Sequence, residues 1–132
     1  MSQQTEHGDR RTSLAEAIRR AADLESKGEI GLAVQLLTDL VVEFPMEASV
    51  HGYLASYLAD CGRFDEAVKH GRRAVQLSPK SGLASLAFFH VLWKAGQHSA
   101  AIEEIRRFLP LQRSDKYTKE YIDILMKWEA RN

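Results

Sequence analysis

Cysteine is almost missing from this sequence. The single thiol, Cys61, cannot close an intramolecular disulfide, which excludes a disulfide-stapled secreted scaffold and suits a reducing cytosol. Long apolar runs are missing as well: no stretch approaches the roughly 18 residues that a membrane helix needs. The opening MSQQTEHGDRRTS lacks the apolar centre of a secretory leader, so the expected compartment is the cytoplasm, of a bacterial cell. An excess of one charge sign is also lacking. Eighteen basic and eighteen acidic residues cancel, which argues against a nucleic-acid binder that works through bulk charge. Nor does the chain contain GxxxxGK[ST], GxGxxG or GxSxG, the short patterns that build phosphate cradles and nucleophile elbows.

What remains is a 132-residue chain, one domain by size, with the 45% apolar and 27% charged composition of an ordinary globular protein. Its charge is unevenly spread. Residues 14–47 hold seven acids and three bases, a net of −4, whereas residues 48–132 hold nine acids and thirteen bases, a net of +4. Such a split either steers a charged partner and favours head-to-tail contact, or reflects solvated faces that differ.

Repetition is the strongest feature. The stretches GEIGLAV (28–34), GRFDEAV (62–68) and GQHSAAI (96–102) place glycines at 28, 62 and 96, two intervals of 34 residues. Five residues on come Ala33, Ala67 and Ala101, and seventeen residues after the first two glycines come Pro45 and Pro79. Helical periodicity runs on both sides of each glycine. Leu14, Ala17, Ala21 and Leu24 share one face of a helix over 14–27, and His51, Leu54, Ala55 and Leu58 repeat it over 48–61. Ser85, Phe88, Phe89 and Leu92 do so over 82–95, and second helices are predicted at 30–43, 64–77 and 98–109. Each glycine ends a helix in the left-handed conformation that a residue without Cβ adopts most cheaply. Ser13 with Glu16 reads as a capping box opening the first helix, which leaves residues 1–12 as an expected disordered tail.

These signatures resemble the tetratricopeptide repeat (TPR), with units at 14–47, 48–81 and 82–115 in unbroken register inside a single domain over 13–132. The resemblance implies an all-α, right-handed solenoid of three hairpins. A capping helix at about 115–130 follows, with the stripe Tyr121, Ile124, Leu125 and Trp128, provided the register slips by two residues. Two departures stand out. Phe89 occupies the small-residue position held by Ala21 and Ala55, which predicts looser or shifted packing in unit three. Ala17, His51 and Ser85 stand where the family carries a large aromatic.

The same resemblance places partner binding in a concave groove lined by the first helices. By position, the lining is Ile18, Ala22 and Glu25 from unit one and Ser49, Gly52, Tyr53, Ser56 and Ala59 from unit two. Unit three adds Leu83, Leu86, His90 and Trp93. Ile18, Tyr53, Leu86 and Trp93 are the expected anchors; Trp93 either lines the groove or covers its hairpin junction. One TPR subclass grips chaperone C-terminal carboxylates with lysine, asparagine and arginine, but the matching positions here are Ile18, Ala22, Tyr53, Leu83 and Ala87, none cationic. The expected function is a non-catalytic protein-interaction module without metal or cofactor, binding a partner peptide or helix in that groove, as an amphipathic helix or an extended apolar segment. The alternatives are a dedicated chaperone of one cognate protein, resembling secretion chaperones, or a homo-oligomeric element joined through Ile122 and Met126. Asp65 and Glu66 read as helix-start charges rather than acid–base chemistry. The five histidines, His7, His51, His70, His90 and His98, show no metal-ligand spacing, and the doublets at 19–20, 72–73 and 106–107 read as solvated arginines.

Overall fold

Three glycines punctuate the chain as the repeat requires. Gly28, Gly62 and Gly96 have φ of 81°, 77° and 79°, and among the described residues no non-glycine has positive φ. Each glycine closes its helix with the same pair of backbone bonds: the Gly62 N–H donates to Ala59 O at 3.0 Å and Arg63 N–H to Leu58 O at 2.9 Å, with equivalents at 28–29 and 96–97.

The computed structural model describes residues 3–112 and 116–131. Among them run seven α-helices: α1 (Gln3–Ser26), α2 (Ile30–Glu43), α3 (Ala48–Asp60), α4 (Phe64–Leu77), α5 (Gly82–Lys94), α6 (His98–Phe108) and α7 (Lys116–Arg131), with a 3-10 turn at Leu109–Leu111 before α7. α2 and α4 span the ranges read from the sequence. α1 does not. It starts at Gln3, so Ser13 lies inside a helix instead of capping one, and residues 3–12, expected as a disordered tail, are helical. QQTEHGDRR contains no proline, and its two glutamines, one glutamate and two arginines are good helix formers that can extend the packed turns beyond Leu14 despite Gly8. The third unit's last residues, 113–115, lie outside the described residues.

α1/α2, α3/α4 and α5/α6 form three antiparallel hairpins stacked in order, with first helices α3 and α5 also touching. The hairpins close on their alanines: Ala33, Ala67 and Ala101 are fully buried. Leucine at Ala67 should overpack the α3/α4 contact and cost about 1–3 kcal/mol, read as a lower urea midpoint at unchanged m-value. Asp65 and Glu66 are exposed in the first turn of α4, and Glu66 is held by the Arg63 guanidinium at 2.8 Å, so this pair is a helix start.

α7 takes the place of a fourth unit's first helix. Tyr121 is fully buried; its hydroxyl and Ser85 Oγ share a hydrogen bond at 2.9 Å, and its ring lies 5.8 Å from those of Phe89 and Phe108. Tyr121 thus sits 36 residues after Ser85, the two-residue slip that the stripe requires, and supplies the large aromatic lacking at Ala17, His51 and Ser85. Phe89 is buried with its ring against that of Tyr121, so its bulk is taken up where α5 meets α7, and Ala101 remains fully buried. The arginine doublets are not idle. Arg72 lies over the Phe88 ring, Arg106 binds Glu103 and Glu129, and Arg107 holds the buried Glu104 at 2.6 Å.

Candidate functional site

Small residues on α3 face the larger ones of α5 across a shallow groove of about 600 Å³. Ser49, Gly52 and Ser56, one turn apart, keep the α3 floor low, and a Cβ at Gly52 would meet only Ala87 Cβ, at an ordinary contact distance of 4.0 Å. Tyr53 forms one wall; Leu83, Leu86 and His90 form the other. Leu83 is 71% exposed, an unusual position for leucine in a concave place.

Seven of the expected lining residues therefore meet: Ser49, Gly52, Tyr53, Ser56, Leu83, Leu86 and His90. The others do not. Ile18 and Ala22 on α1 are half-buried, with Ile18 packed on the core; Glu25 is exposed and its charge acts on Tyr57; Ala59 is buried. Trp93 is also placed elsewhere. Its ring stacks on His98 at 4.2 Å and meets Trp128 edge-on at 6.1 Å, so it covers the junction of α5, α6 and α7, and its 39% exposure lies outside the groove. The cause is α7, which draws this end of α5 into an aromatic cluster. Conversely, the groove includes Met46, Glu47, Ser78 and Ser81, which periodicity did not indicate because they lie between helices. A signal existed: each follows or abuts a repeat-closing proline, where the chain must cross to the next first helix.

The lining contains no lysine or arginine; its ionisable groups are Glu47, Tyr53 and His90. It can present apolar surface and neutral hydroxyls, but no lysine or arginine to clasp a carboxylate. Of the remaining histidines, His51 and His70 meet inside the second hairpin with Nδ1 atoms 3.1 Å apart, while the side chain of His7 lies outside the described residues. Among the described residues no three His, Cys, Asp or Glu side chains gather as metal ligands, and no helix is long and apolar enough to cross a membrane. Ile122 and Met126 stand on α7 beside Lys119, Glu120 and Asp123, 45% and 65% exposed.

Stacked two-helix units, a left-handed glycine in every hairpin and a capping helix define a tetratricopeptide-repeat solenoid, and the chain has that fold. It resembles the type III secretion translocator chaperone SycD of Yersinia enterocolitica, with a TM-score of 0.78 at 13% identity over 91% of this chain and 86% of that one. The TPR2B domain of yeast Sti1, solved in a complex with pHsp70, gives 0.76 at 17% identity over 89% and 97%. A point mutant of MamA gives 0.64 at 24% identity over 77% and 74%. No protein-family model and no curated protein matches the chain.

Proposed function

We propose that this protein is a non-catalytic interaction module that holds a short apolar segment of a partner protein in the groove between α3 and α5. The observation that carries the reading is Leu83, exposed beside Leu86 and opposite the low floor of Ser49, Gly52 and Ser56. That arrangement offers an apolar wall with a gap matched to side chains, as helix-in-groove and extended-segment recognition require. The lining's lack of lysine and arginine supports a segment that is uncharged at its core over one that ends in a clasped carboxylate. The Sti1 domain and SycD, one in a complex and one a chaperone, support a protein partner, and the second keeps a dedicated chaperone as the nearest alternative. Self-association through Ile122 and Met126 is less favoured, because two exposed side chains cover far less than the ~800 Å² per partner of a stable interface.

Selection from a displayed random-peptide library tests the proposal. Apolar segments without a required acidic terminus should emerge, and Leu83→Glu should weaken the selected peptide about tenfold or more by calorimetry. Its far-UV circular dichroism should not change, since Leu83 supports no core contact. Equal affinity in the two proteins, or selection dominated by acidic C-termini, rejects the groove.

A further inference from the structure

The carbonyl of Pro45 is held by an imidazole, and that choice has consequences. His51 Nε2 lies 2.8 Å from Pro45 O, and His51 Nδ1 lies 3.1 Å from His70 Nδ1, the two rings stacked with centroids 5.3 Å apart. A carbonyl only accepts, so His51 Nε2 carries a proton. Neutral His51 therefore accepts at Nδ1, and His70 must donate from its own Nδ1. His51 is buried and His70 half-buried. The arrangement has room for one added proton, on the outward Nε2 of His70. A second would set two N–H groups against each other at 3.1 Å.

The Pro45 bond also ties its linker to a side chain of α3. Glu47 N–H reaches Phe44 O at 3.2 Å and His51 N–H reaches Glu47 O at 3.4 Å. The next linker is built differently: Pro79 O accepts from Arg107 Nη1 at 2.9 Å and Lys80 O from Gln112 Nε2 at 3.0 Å, groups that do not titrate near neutrality. Met46, Glu47 and Ala48, immediately after Pro45, form one end of the groove.

We propose that His51 and His70 form an acid-released latch that fixes the Pro45–Ala48 linker, and with it one end of the partner-binding groove. The latch stands on its own geometry; its effect on binding rests on the groove reading above. The helices packed around the pair carry Asp39 and Glu43 on α2, Asp60 on α3, His90 and Lys94 on α5, and Asp65, Glu66, Lys69, Arg72 and Arg73 on α4. Of these, Lys69 opposes a charge on His70 and Glu66 favours one; burial first, then His51, hold the His70 imidazole below its ordinary range. The sign follows. Above about pH 6.5, the ordinary histidine value, the unfolded chain's imidazoles are neutral, as His70 is in the fold, and the latch contributes fully. Below it the unfolded chain binds more protons than the folded one, so stability falls as pH falls. One excluded proton lowers the folding equilibrium constant about thirtyfold at pH 5.

The test uses the whole chain. Imidazole nitrogen NMR should show His51 as the Nε2–H tautomer at pH 7.5, with the two rings taking up no more than one proton between them by pH 5. Hydrogen exchange at pH 5, corrected for intrinsic rate, should loosen residues 45–51 while leaving 78–84 unchanged, the second linker serving as internal control. His51→Gln keeps an N–H donor within reach of Pro45 O without a titrating ring, leaves His70 free to take its proton, and should lose most of the thirtyfold step. Independent titration of both rings near pH 6.5, or equal loosening of the two linkers, overturns the latch, and so does a pH step surviving in His51→Gln. Should that variant fail to fold, the NMR and exchange results on the unaltered chain decide. A groove that binds no peptide while the latch titrates as described rejects the function and leaves the latch standing.

Discussion

Tyr121→Ala is expected to lower the unfolding free energy by about 3–5 kcal/mol, the range for emptying a large aromatic site. Against the roughly 5–15 kcal/mol of a typical domain this is a large fraction. Tyr121 is fully buried between Phe89 of α5 and Phe108 of α6, and it is the residue of α7 that reaches deepest. Alanine removes the ring and leaves the Ser85 hydroxyl, also fully buried, without its partner. The two losses separate experimentally. Tyr121→Phe keeps the ring and strands Ser85, at a cost of about 1–3 kcal/mol, whereas Tyr121→Phe with Ser85→Ala removes both polar partners and should recover most of it. Urea denaturation followed by circular dichroism measures each step, and hydrogen exchange over 116–131 reports whether α7 opens first. A loss under about 1 kcal/mol for Tyr121→Ala would remove α7 from the cooperative unit.

How much of this was readable beforehand depends on the distance over which each feature is decided. Gly62 and Ala67 act within one hairpin, so their spacing alone set the bounds of α4 at Phe64 and Leu77. The register slip was also readable, because the stripe of Tyr121, Ile124, Leu125 and Trp128 is a property of one helix. Trp93 was not, since its direction depends on His98 and Trp128, partners from two other helices. Ile18 and Ala22 failed as groove residues for a similar reason. Position within a unit gives the face, but whether neighbouring first helices enclose a groove depends on side-chain size, and only α3 offers the required serines and glycine. The His51–His70 contact joins residues 19 apart on different helices and left no periodic trace.

Gly71→Leu should cost about 3 kcal/mol or more even though leucine is the better helix former by close to ~1 kcal/mol. The equivalent positions one repeat away are Leu37 and Ile105, both fully buried, so the repeat calls for a large residue here and the sequence supplies none. Phe88 explains the exception. A Cβ on Gly71 would stand 2.9 Å from Phe88 Cδ1 and 3.5 Å from its Cα. Favourable carbon contacts lie at about 3.5–4.0 Å, so the first is well inside that range and the second at its edge. The ring cannot simply retreat, being buried with the Arg72 guanidinium over it. Phe88 thus fills from α5 the volume that Leu37 and Ile105 fill from their own second helices, a large-for-small exchange across the α4/α5 contact. That exchange predicts coupling. Gly71→Ala alone should be mildly destabilising, the clash outweighing the gain in helix propensity, and Gly71→Ala with Phe88→Leu should recover part of the loss of Phe88→Leu alone. Denaturant midpoints for the four proteins of that cycle measure the interaction. Additive effects would show that Gly71 is glycine for some reason other than the Phe88 ring.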